Sequence, residues 1–394
     1  MTVLGPAQSG AWKILEGMDT TRYSLAHRLF AATPEHPQPG LAYASTVCAT
    51  YVLLFIAGIL SLPAMGSRYG SVRLPFLLDW NVLFMFTVAM PSLVAFTVGD
   101  DRVLVRSISL ITRDDIVALS DADAEYLKNR WQAIYARTNL VAQWLGLGIG
   151  LTLAWANYQV YSPAVVGYWI AVDGRLTLAG IAFLYCITLY YAVLPVYILR
   201  SVVTAMFLRD FVGRSVVRLV PFHPDHCGGL RPVGSLGLRN QYLLSIYGFN
   251  LASLIFVSGH FLAVPSGLRI LIVIATIAYL VFGPLVFLAP LVPFRSGMLR
   301  NKAELMNDVA KRLRTELTRI RAQLLAGSIT KEDERLIARL RNIGSLIEEL
   351  PVWPFDARTL RRFLTAYVLP LVGSIGVPLL KSLGTVLLAY LAAT

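Results

Sequence analysis

Seven long apolar stretches constrain this chain more than any other feature of its sequence. A helix needs about 20 mainly apolar residues to cross the hydrocarbon core of a bilayer. Stretches of that kind occupy residues 43–65, 75–98, 138–161, 176–199, 240–264, 268–293 and 363–394. Only 15% of the residues are charged, whereas about a quarter are charged in a soluble chain. We therefore expect an all-α membrane protein with about seven transmembrane helices.

The polar segments between these stretches differ sharply in their content of basic residues. Alternate segments carry 30 Lys and Arg residues in one set and 4 in the other, if Arg269 at the beginning of the sixth stretch is counted with the segment before it. The basic set comprises residues 1–42, 99–137, 200–239 and 294–362. Because Lys and Arg accumulate on the cytosolic side of membrane proteins, this pattern predicts a cytosolic N-terminus and a C-terminus outside. The net charge of +12 has the same origin and does not by itself indicate nucleic-acid binding.

Local signals predict how several helices begin and pack. Ser120 and Asp123 form a capping pattern, and the helix that starts there could continue without a break into the third span. In that span Gly146 and Gly150 form a G-x-x-x-G pattern, which favours close approach of a second helix. The last apolar stretch, residues 363–394, contains Pro370 and Pro378. Either one broken span or a re-entrant pair of half-helices fits that pattern.

The longest polar segment, residues 294–362, predicts a cytosolic helical hairpin. Apolar residues recur every three or four positions from Met306 to Leu324, which is the period of one helical face. A second stripe runs from Ile337 to Leu350, after a cap formed by Thr330 and its third neighbour. Because both stripes need partners beyond the hairpin itself, we expect a homo-oligomer.

A turn-rich motif at residues 221–230 is the strongest candidate for chemistry. It places His223, Asp225, His226 and Cys227 within five positions, before Gly228 and Gly229. These four polar side chains are candidate ligands for zinc or a similar metal. Cys227 beside His226 has the composition of a nucleophile and its base, but not their usual spacing. We expect no catalytic residues and no cofactor, with a metal at this turn as the alternative.

The same motif offers two readings that need no metal. In the first, Asp225 caps a turn, His223 bonds to the backbone, and Gly228 with Gly229 lets the loop pass beneath the membrane. In the second, free backbone N–H groups form an anion-binding nest. Arg218, Arg231 and Arg239 flank this nest, and Arg312 and Arg319 of the hairpin complete the predicted ligand-binding residues of the basic cytosolic region. A nucleotide or an oligonucleotide would be a suitable cytosolic ligand.

The pattern H-P-D-x-x-G-G-L from His223 to Leu230 resembles a motif of uncharacterised bacterial multi-pass inner-membrane proteins. The segment from Trp353 to Asp356, W-P-F-D, is similar to another feature of that group. The resemblance implies a bacterial inner membrane. It implies no established activity for these residues.

Apart from Arg269 at the beginning of the sixth stretch, three ionisable residues fall inside the apolar stretches, where such groups are functional candidates. They are Asp79, His260 and Lys381. With the orientation above, all three lie near the outer boundary. They could be interfacial, pair as Asp79 with Lys381, or line an outer vestibule of a pore.

These features lead to three hypotheses about function. The first is an oligomeric ion channel in contact with membrane lipids, gated or regulated through its basic cytosolic region by an anionic, nucleotide-type ligand. The second is a secondary transporter or exporter of a small solute. The third is a metal-dependent membrane enzyme acting at the cytosolic face through the His223–Cys227 turn.

Overall fold

The computed structural model of the protein describes residues 10–18, 39–59, 76–161, 169–172, 175–221, 223–260, 266–325, 330–370 and 372. These residues are mainly helical, as the sequence predicts. The helices of the first half are α1 (Ala11–Glu16), α2 (Pro39–Ile59), α3 (Trp80–Phe84), α4 (Met90–Arg113), α5 (Asp121–Tyr161) and α6 (Leu178–Arg214). The second half contains α7 (Arg231–His260), α8 (Ser266–Leu288), α9 (Val292–Leu325), α10 (Lys331–Glu348) and α11 (357–370).

Four of these helices are long and apolar enough to cross a membrane, and a bent pair could form a fifth span. The four segments are Gly40–Gly58, Trp80–Gly99, Asp121–Ala156 and Leu178–Arg214, which coincide with the first four predicted spans. The bent pair joins Ile272–Leu288 to Val292–Arg321 at an angle of 42°. The expectation of a membrane-embedded protein is thus confirmed, and the predicted number of seven spans is not.

The other two predicted spans have different outcomes. The fifth, 240–264, falls mostly on α7, which does not pass the same test among the described residues. Within α7, the polar residues Arg239, Asn240 and Gln241 lower the mean hydropathy. Nevertheless α7 lies antiparallel along α8, since Gly237 abuts the carbonyl oxygen of Phe287 and Gly248 abuts Tyr279. Most of the last span, 363–394, lies outside the described residues.

The helix through the second span is interrupted by a π-helical turn at Met85–Ala89, just before Pro91. Proline has no backbone N–H, so the carbonyl oxygen four residues earlier lacks its helical donor. That oxygen belongs to Thr87, and it accepts a hydrogen bond from the Tyr43 hydroxyl of α2 at 2.5 Å. The break in the helix therefore provides an attachment point for α2.

Helix α5 confirms two local predictions. The Ser120 hydroxyl accepts the Asp123 backbone N–H at 3.1 Å, and the helix then runs unbroken for 41 residues. Gly146 and Gly150 press against α6, because an added Cβ would lie 2.1 Å from the Ala192 carbonyl oxygen and 2.5 Å from that of Thr188. Any larger residue at these two positions would push the helices apart.

All segments of the basic set meet at one end of the helical bundle, which we call the basic end. Their buried side chains form one hydrophobic core with α1 and with the ends of the long helices. Its members include Leu15, Ile108, Trp131, Phe211, Val233, Phe287, Phe294, Ile347 and Phe363. The N-terminal helix, the motif and helices α9 and α10 therefore pack together at one end of the bundle.

Helices α9 and α10 lie antiparallel at the basic end. Arg319 contacts Asp333 near the connection at 2.9 Å, and Lys302 donates to the carbonyl oxygen of Glu348 at the far end at 2.5 Å. The predicted cap is present as a reciprocal box, in which the Thr330 hydroxyl accepts the Asp333 N–H and the Asp333 carboxylate accepts the Thr330 N–H. Helix α9 follows α8 directly at the bend of 42° between Leu288 and Val292. Helices α9 and α10 therefore extend the bundle.

Candidate functional site

A pair of two-residue strands places the motif at the junction of three long helices. Strand β1 (Val117–Ala118) follows α4, strands β2 (Ala171–Val172) and β3 (Arg175–Leu176) pair with each other before α6, and strand β4 (Val216–Val217) follows α6. Strands β1 and β4 pair antiparallel, with Val117 opposite Val217. The Arg218 N–H extends this pairing by donating to the Ile116 carbonyl oxygen at 2.8 Å. The motif then runs from this pairing directly into the first turn of α7.

The backbone of the motif folds back on itself within a few residues. His226, Gly228 and Gly229 have φ angles of 55°, 65° and 95°, in the left-handed region that favours glycine. A Cβ added to Gly229 would lie 2.2 Å from the Ile116 Cδ1, so that position has no room for a side chain. The predicted compact turn is therefore present, and it packs against the end of α4.

The carboxylate of Asp225 organises this turn. Its Oδ1 accepts the backbone N–H groups of Cys227 at 2.9 Å and Gly229 at 3.0 Å. Its Oδ2 accepts that of Arg231, the first residue of α7, at 3.1 Å. Although burial by itself raises the pKa of Asp225, these bonds and one from His223 outweigh it and lower that pKa.

The nest predicted for an external anion therefore already holds an anion, the side chain of Asp225. Three backbone N–H groups in and directly after the Gly-rich turn are donated to it and are not available to a ligand. The reading in which Asp225 caps the turn describes these residues better. The His223 Nδ1 accepts the Asp225 backbone N–H at 3.4 Å, as that reading predicts, and it also lies 2.7 Å from the Asp225 Oδ1.

The structure separates the other two polar side chains of the motif. Cys227 is buried, and burial together with the nearby carboxylates of Asp225 and Asp356 raises the pKa of its thiol to about 12. A thiol with such a pKa stays protonated and is a poor nucleophile. His226 is exposed to solvent. Among the described residues no group of three or more His, Cys, Asp or Glu side chains converges as metal ligands.

An open cleft of about 370 Å³ lies between this turn, the end of α4 and the beginning of α7. We call it the motif cleft. Its polar side chains come from Asp114, His223, Asp225, Arg231 and Ser235. Its apolar wall consists of Leu110, Ile111, Ile116 and Pro232, with Gly229 at the base. The volume is within the range of small-molecule sites, about 300–1,000 Å³.

The W-P-F-D segment packs directly behind the motif. Gly234 of α7 is so close to Pro354 that an added Cβ would lie 2.3 Å from its carbonyl oxygen. Asp356 accepts the Thr359 N–H at 2.8 Å and thereby caps α11. Hydrogen bonds from Thr359 and the positive charge of Arg231 lower the pKa of Asp356 against the opposing effect of burial. Two segments more than 120 positions apart in sequence thus form one unit around Arg231.

The remaining predicted arginines are not part of the motif cleft. Arg218 pairs with Asp115 at 2.8 Å on the surface, and Arg239 stacks over the Phe96 ring of α4 at 4.6 Å. Arg319 pairs with Glu316 and Asp333. Asn301 of α9 bonds to the Leu219 N–H beside the motif, and Arg312 lies about 16 Å further along that helix. Of the predicted ligand-binding arginines, only Arg231 lines the cleft.

Of the three predicted vestibule residues, the structure describes one side chain. Asp79 is fully buried, caps α3 through the Val82 N–H, and accepts the Trp169 Nε1–H at 3.0 Å. It is a structural residue of the opposite end rather than an exposed group at a pore mouth. Lys381 and the side chain of His260 lie outside the described residues.

Sequence reasoning missed a buried arginine on α6. Arg200 is 2% exposed, donates to the Asn139 Oδ1 at 3.1 Å and to the Thr97 carbonyl oxygen at 2.9 Å, and faces the Tyr135 ring. It joins α4, α5 and α6 where they enter the basic end. Arg200 directly follows the fourth apolar stretch, so the sequence places it in the polar segment 200–239 and not inside the bundle.

Comparison of the chain with protein-family models, curated proteins and solved structures gives no significant match.

Proposed function

We propose that the protein is an oligomeric, ion-conducting membrane channel that a small anionic ligand regulates by binding in the motif cleft. The observation that supports this most is the position of the cleft. It lies where the end of α4 and the beginning of α7 face each other, and the same loop also ties down the end of α6. A ligand that bridges the two walls would change the separation of helices that continue into the apolar part of the bundle.

The lining of the cleft favours one class of ligand. The Arg231 guanidinium is a donor for a phosphate, whereas Asp114 and the Ser235 hydroxyl can accept hydrogen bonds. A ligand that combines a phosphate with donor groups, as a nucleotide does, satisfies both. The volume of about 370 Å³ fits a mononucleotide better than an oligonucleotide.

The charge asymmetry supports a cytosolic location for the basic end in a bacterial inner membrane. The N-terminus is then inside, and with seven spans, α7 included, the C-terminus is outside. Exposed apolar residues on the basic-end helices, Leu317, Ile343 and Leu346, support contact with a neighbouring protomer. Such contacts are how a cytosolic assembly could surround a pore.

The test uses the full-length protein in planar bilayers of phosphatidylcholine and phosphatidylglycerol, with ATP as the probe. We expect single-channel currents without a substrate gradient and an open probability that changes with ATP on the side of the basic end. Arg231→Gln should abolish the ATP response but keep the conductance, because the bond to Asp225 uses only its backbone N–H. Arg218→Gln is the matched control, since it removes an equal charge outside the cleft.

Two results would contradict the proposal. Wild-type currents that do not change when ATP is added would contradict regulation by such a ligand. A complete lack of current, together with saturable uptake of a solute in proteoliposomes, would identify a transporter. That alternative has some support from α7, where the buried Gln241 amide has no hydrogen-bond partner in the described part of the chain. A metal-dependent enzyme has less support, because the Asp225 oxygens accept backbone hydrogen bonds and Cys227 is buried.

A further inference from the structure

Helix α11 presents two very different faces at the basic end. One face is fixed to α8 by aromatic stacking, with Phe363 on Phe287 at 4.2 Å and Tyr367 on Tyr279 at 5.6 Å between ring centroids. Hydrogen bonds from the Tyr279 hydroxyl to the Tyr367 carbonyl oxygen and from the Tyr367 hydroxyl to that of Leu280 add to this attachment. The orientation of α11 is therefore well defined, and so is the direction of its other face.

That other face forms a basic pocket against α7. The pocket has a volume of about 540 Å³ and is lined by Tyr242, Arg358, Arg361, Arg362, Thr365 and Ala366. No acidic side chain lines it, and none of its three arginines forms an ion pair with any residue that the structure describes. Three guanidinium groups within five positions, in a pocket that no carboxylate lines, form a suitable site for an anion from outside the chain.

The depth of this pocket indicates what kind of anion it meets. Helix α8 is apolar up to its end at Leu288, where a bend of 42° leads into α9. We place the edge of the apolar layer at this bend. Phe363 stacks on Phe287 at that edge. Because a helix rises 1.5 Å per residue, Arg358 to Arg362 lie within about 8 Å beyond it. Phospholipid phosphates occupy this level of a bilayer, in the headgroup region just outside the hydrocarbon.

The residues that follow the arginines also suit a lipid. Leu364, Val368 and Leu369 on α11 are exposed, at 48%, 42% and 52%, and continue from the pocket toward the apolar layer. Tyr242 on the α7 side is an amphipathic side chain of the type enriched at membrane interfaces. A basic site with an adjoining apolar surface matches a molecule with a phosphate at one end and acyl chains at the other.

We propose that this pocket binds the phosphate of an anionic phospholipid headgroup through Arg358, Arg361 and Arg362. The ligand is distinct from the one in the motif cleft, and the site does not depend on the channel hypothesis. The chemistry recognised is a phosphate group, and the surrounding apolar surface favours a lipid over a soluble phosphate compound. Each arginine contributes by its charge near the membrane surface.

Native mass spectrometry of the full-length protein in detergent can test this, with phosphatidylglycerol and phosphatidylcholine titrated separately. We expect tighter binding of phosphatidylglycerol to the wild type, and a loss of about fivefold for each arginine replaced by Gln. Arg358→Gln/Arg361→Gln/Arg362→Gln should therefore abolish the preference between the two lipids. The corresponding triple Lys variant keeps the charge and should keep most of the preference.

The control is Arg312→Gln/Arg314→Gln/Arg321→Gln on α9, which changes the net charge by the same amount elsewhere on the surface. An equal loss in both Gln variants would mean non-specific attraction and would overturn the site. Undiminished phosphatidylglycerol binding in the α11 variant would overturn it as well. If millimolar inorganic phosphate displaces the lipid, the pocket belongs to a soluble phosphate compound, and the lipid assignment is wrong.

Discussion

Replacing Asp225 by alanine should release the motif loop while the helices around it stay folded. The change leaves the N–H groups of Cys227 and Gly229 buried without an acceptor, because both donate to the Asp225 Oδ1. Each buried N–H group without an acceptor costs about 1–3 kcal/mol. The N–H of Arg231, at the start of α7, can instead form a hydrogen bond with water. The free energy that favours the closed loop should therefore fall by about 3 kcal/mol, which raises the equilibrium constant for opening by about a hundredfold.

The buried thiol of Cys227 reports this opening directly. In a background of Cys48→Ser and Cys186→Ala it is the only cysteine of the chain, and its reaction with a maleimide at fixed pH requires the loop to open. When opening and closing are fast, the labelling rate follows the open population, so we expect labelling about a hundredfold faster in Asp225→Ala. Asp225→Asn should give a smaller increase, because its Oδ1 can still accept but its amide group opposes the N–H of Arg231.

The control for this experiment is Asp114→Asn. Asp114 lines the same cleft but bonds only to the exposed side chain of Arg113 in the described structure. Cys227 in the Asp114→Asn variant should be labelled at a rate close to that of the parent. A rate within about threefold of the parent in Asp225→Ala would show that the bonds to Asp225 do not hold the loop closed, and it would refute the reasoning from unsatisfied N–H groups.

Three other predictions concern the stability of the fold. Gly229→Ala should lower the free energy of unfolding by about 2–4 kcal/mol, because of backbone strain and a clash with the Ile116 side chain. Gly344→Ala, at an uncrowded position inside α10, should raise the free energy of unfolding by about 1 kcal/mol. Thermal melts of the two variants test both expectations. The stability that Asp225 provides should be full above about pH 5 and lost as the pH falls below about 3.9, because its folded-state pKa is lowered. The difference in melting temperature between wild type and Asp225→Asn should therefore vanish in acid. Trp169→Phe removes the hydrogen bond to Asp79 and should cost about 1–3 kcal/mol in the same melts.

The sequence predicts local structure here better than it predicts contacts. Helix starts at Ser120 and Thr330 follow from side-chain bonds between residues three positions apart, and both are present. The two prolines and two glycines of the motif likewise predict a tight turn. The pairing of β1 with β4 could not be read from the chain, because it joins two-residue segments about 100 positions apart that have no strand periodicity.

The same limitation explains the errors at the candidate site. A Gly-rich turn beside several arginines predicts an anion nest as readily as a turn capped by Asp225, and in the structure the Asp225 carboxylate occupies the nest. Which carboxylate reaches the N–H groups depends on three positive φ angles, and these are not visible in composition. The proximity of Asp356 to Arg231 depends on how α11 packs against α8, which requires the complete fold.

The contacts between α4 and α7 suggest how binding in the motif cleft could reach the apolar part of the bundle. The two helices face each other across the cleft, at Ile111 and Arg231. They meet again deeper in the bundle, where Arg239 stacks on Phe96 and donates to its carbonyl oxygen at 3.3 Å. The two contacts are about two turns apart on α7 and about four turns apart on α4. Because helices are stiff over such lengths, closing the cleft would tilt both helices about this second contact. Arg239→Met keeps the packing of the stem but removes the contact with the carbonyl. On the proposed function, it should leave ATP binding intact and weaken its effect on conductance.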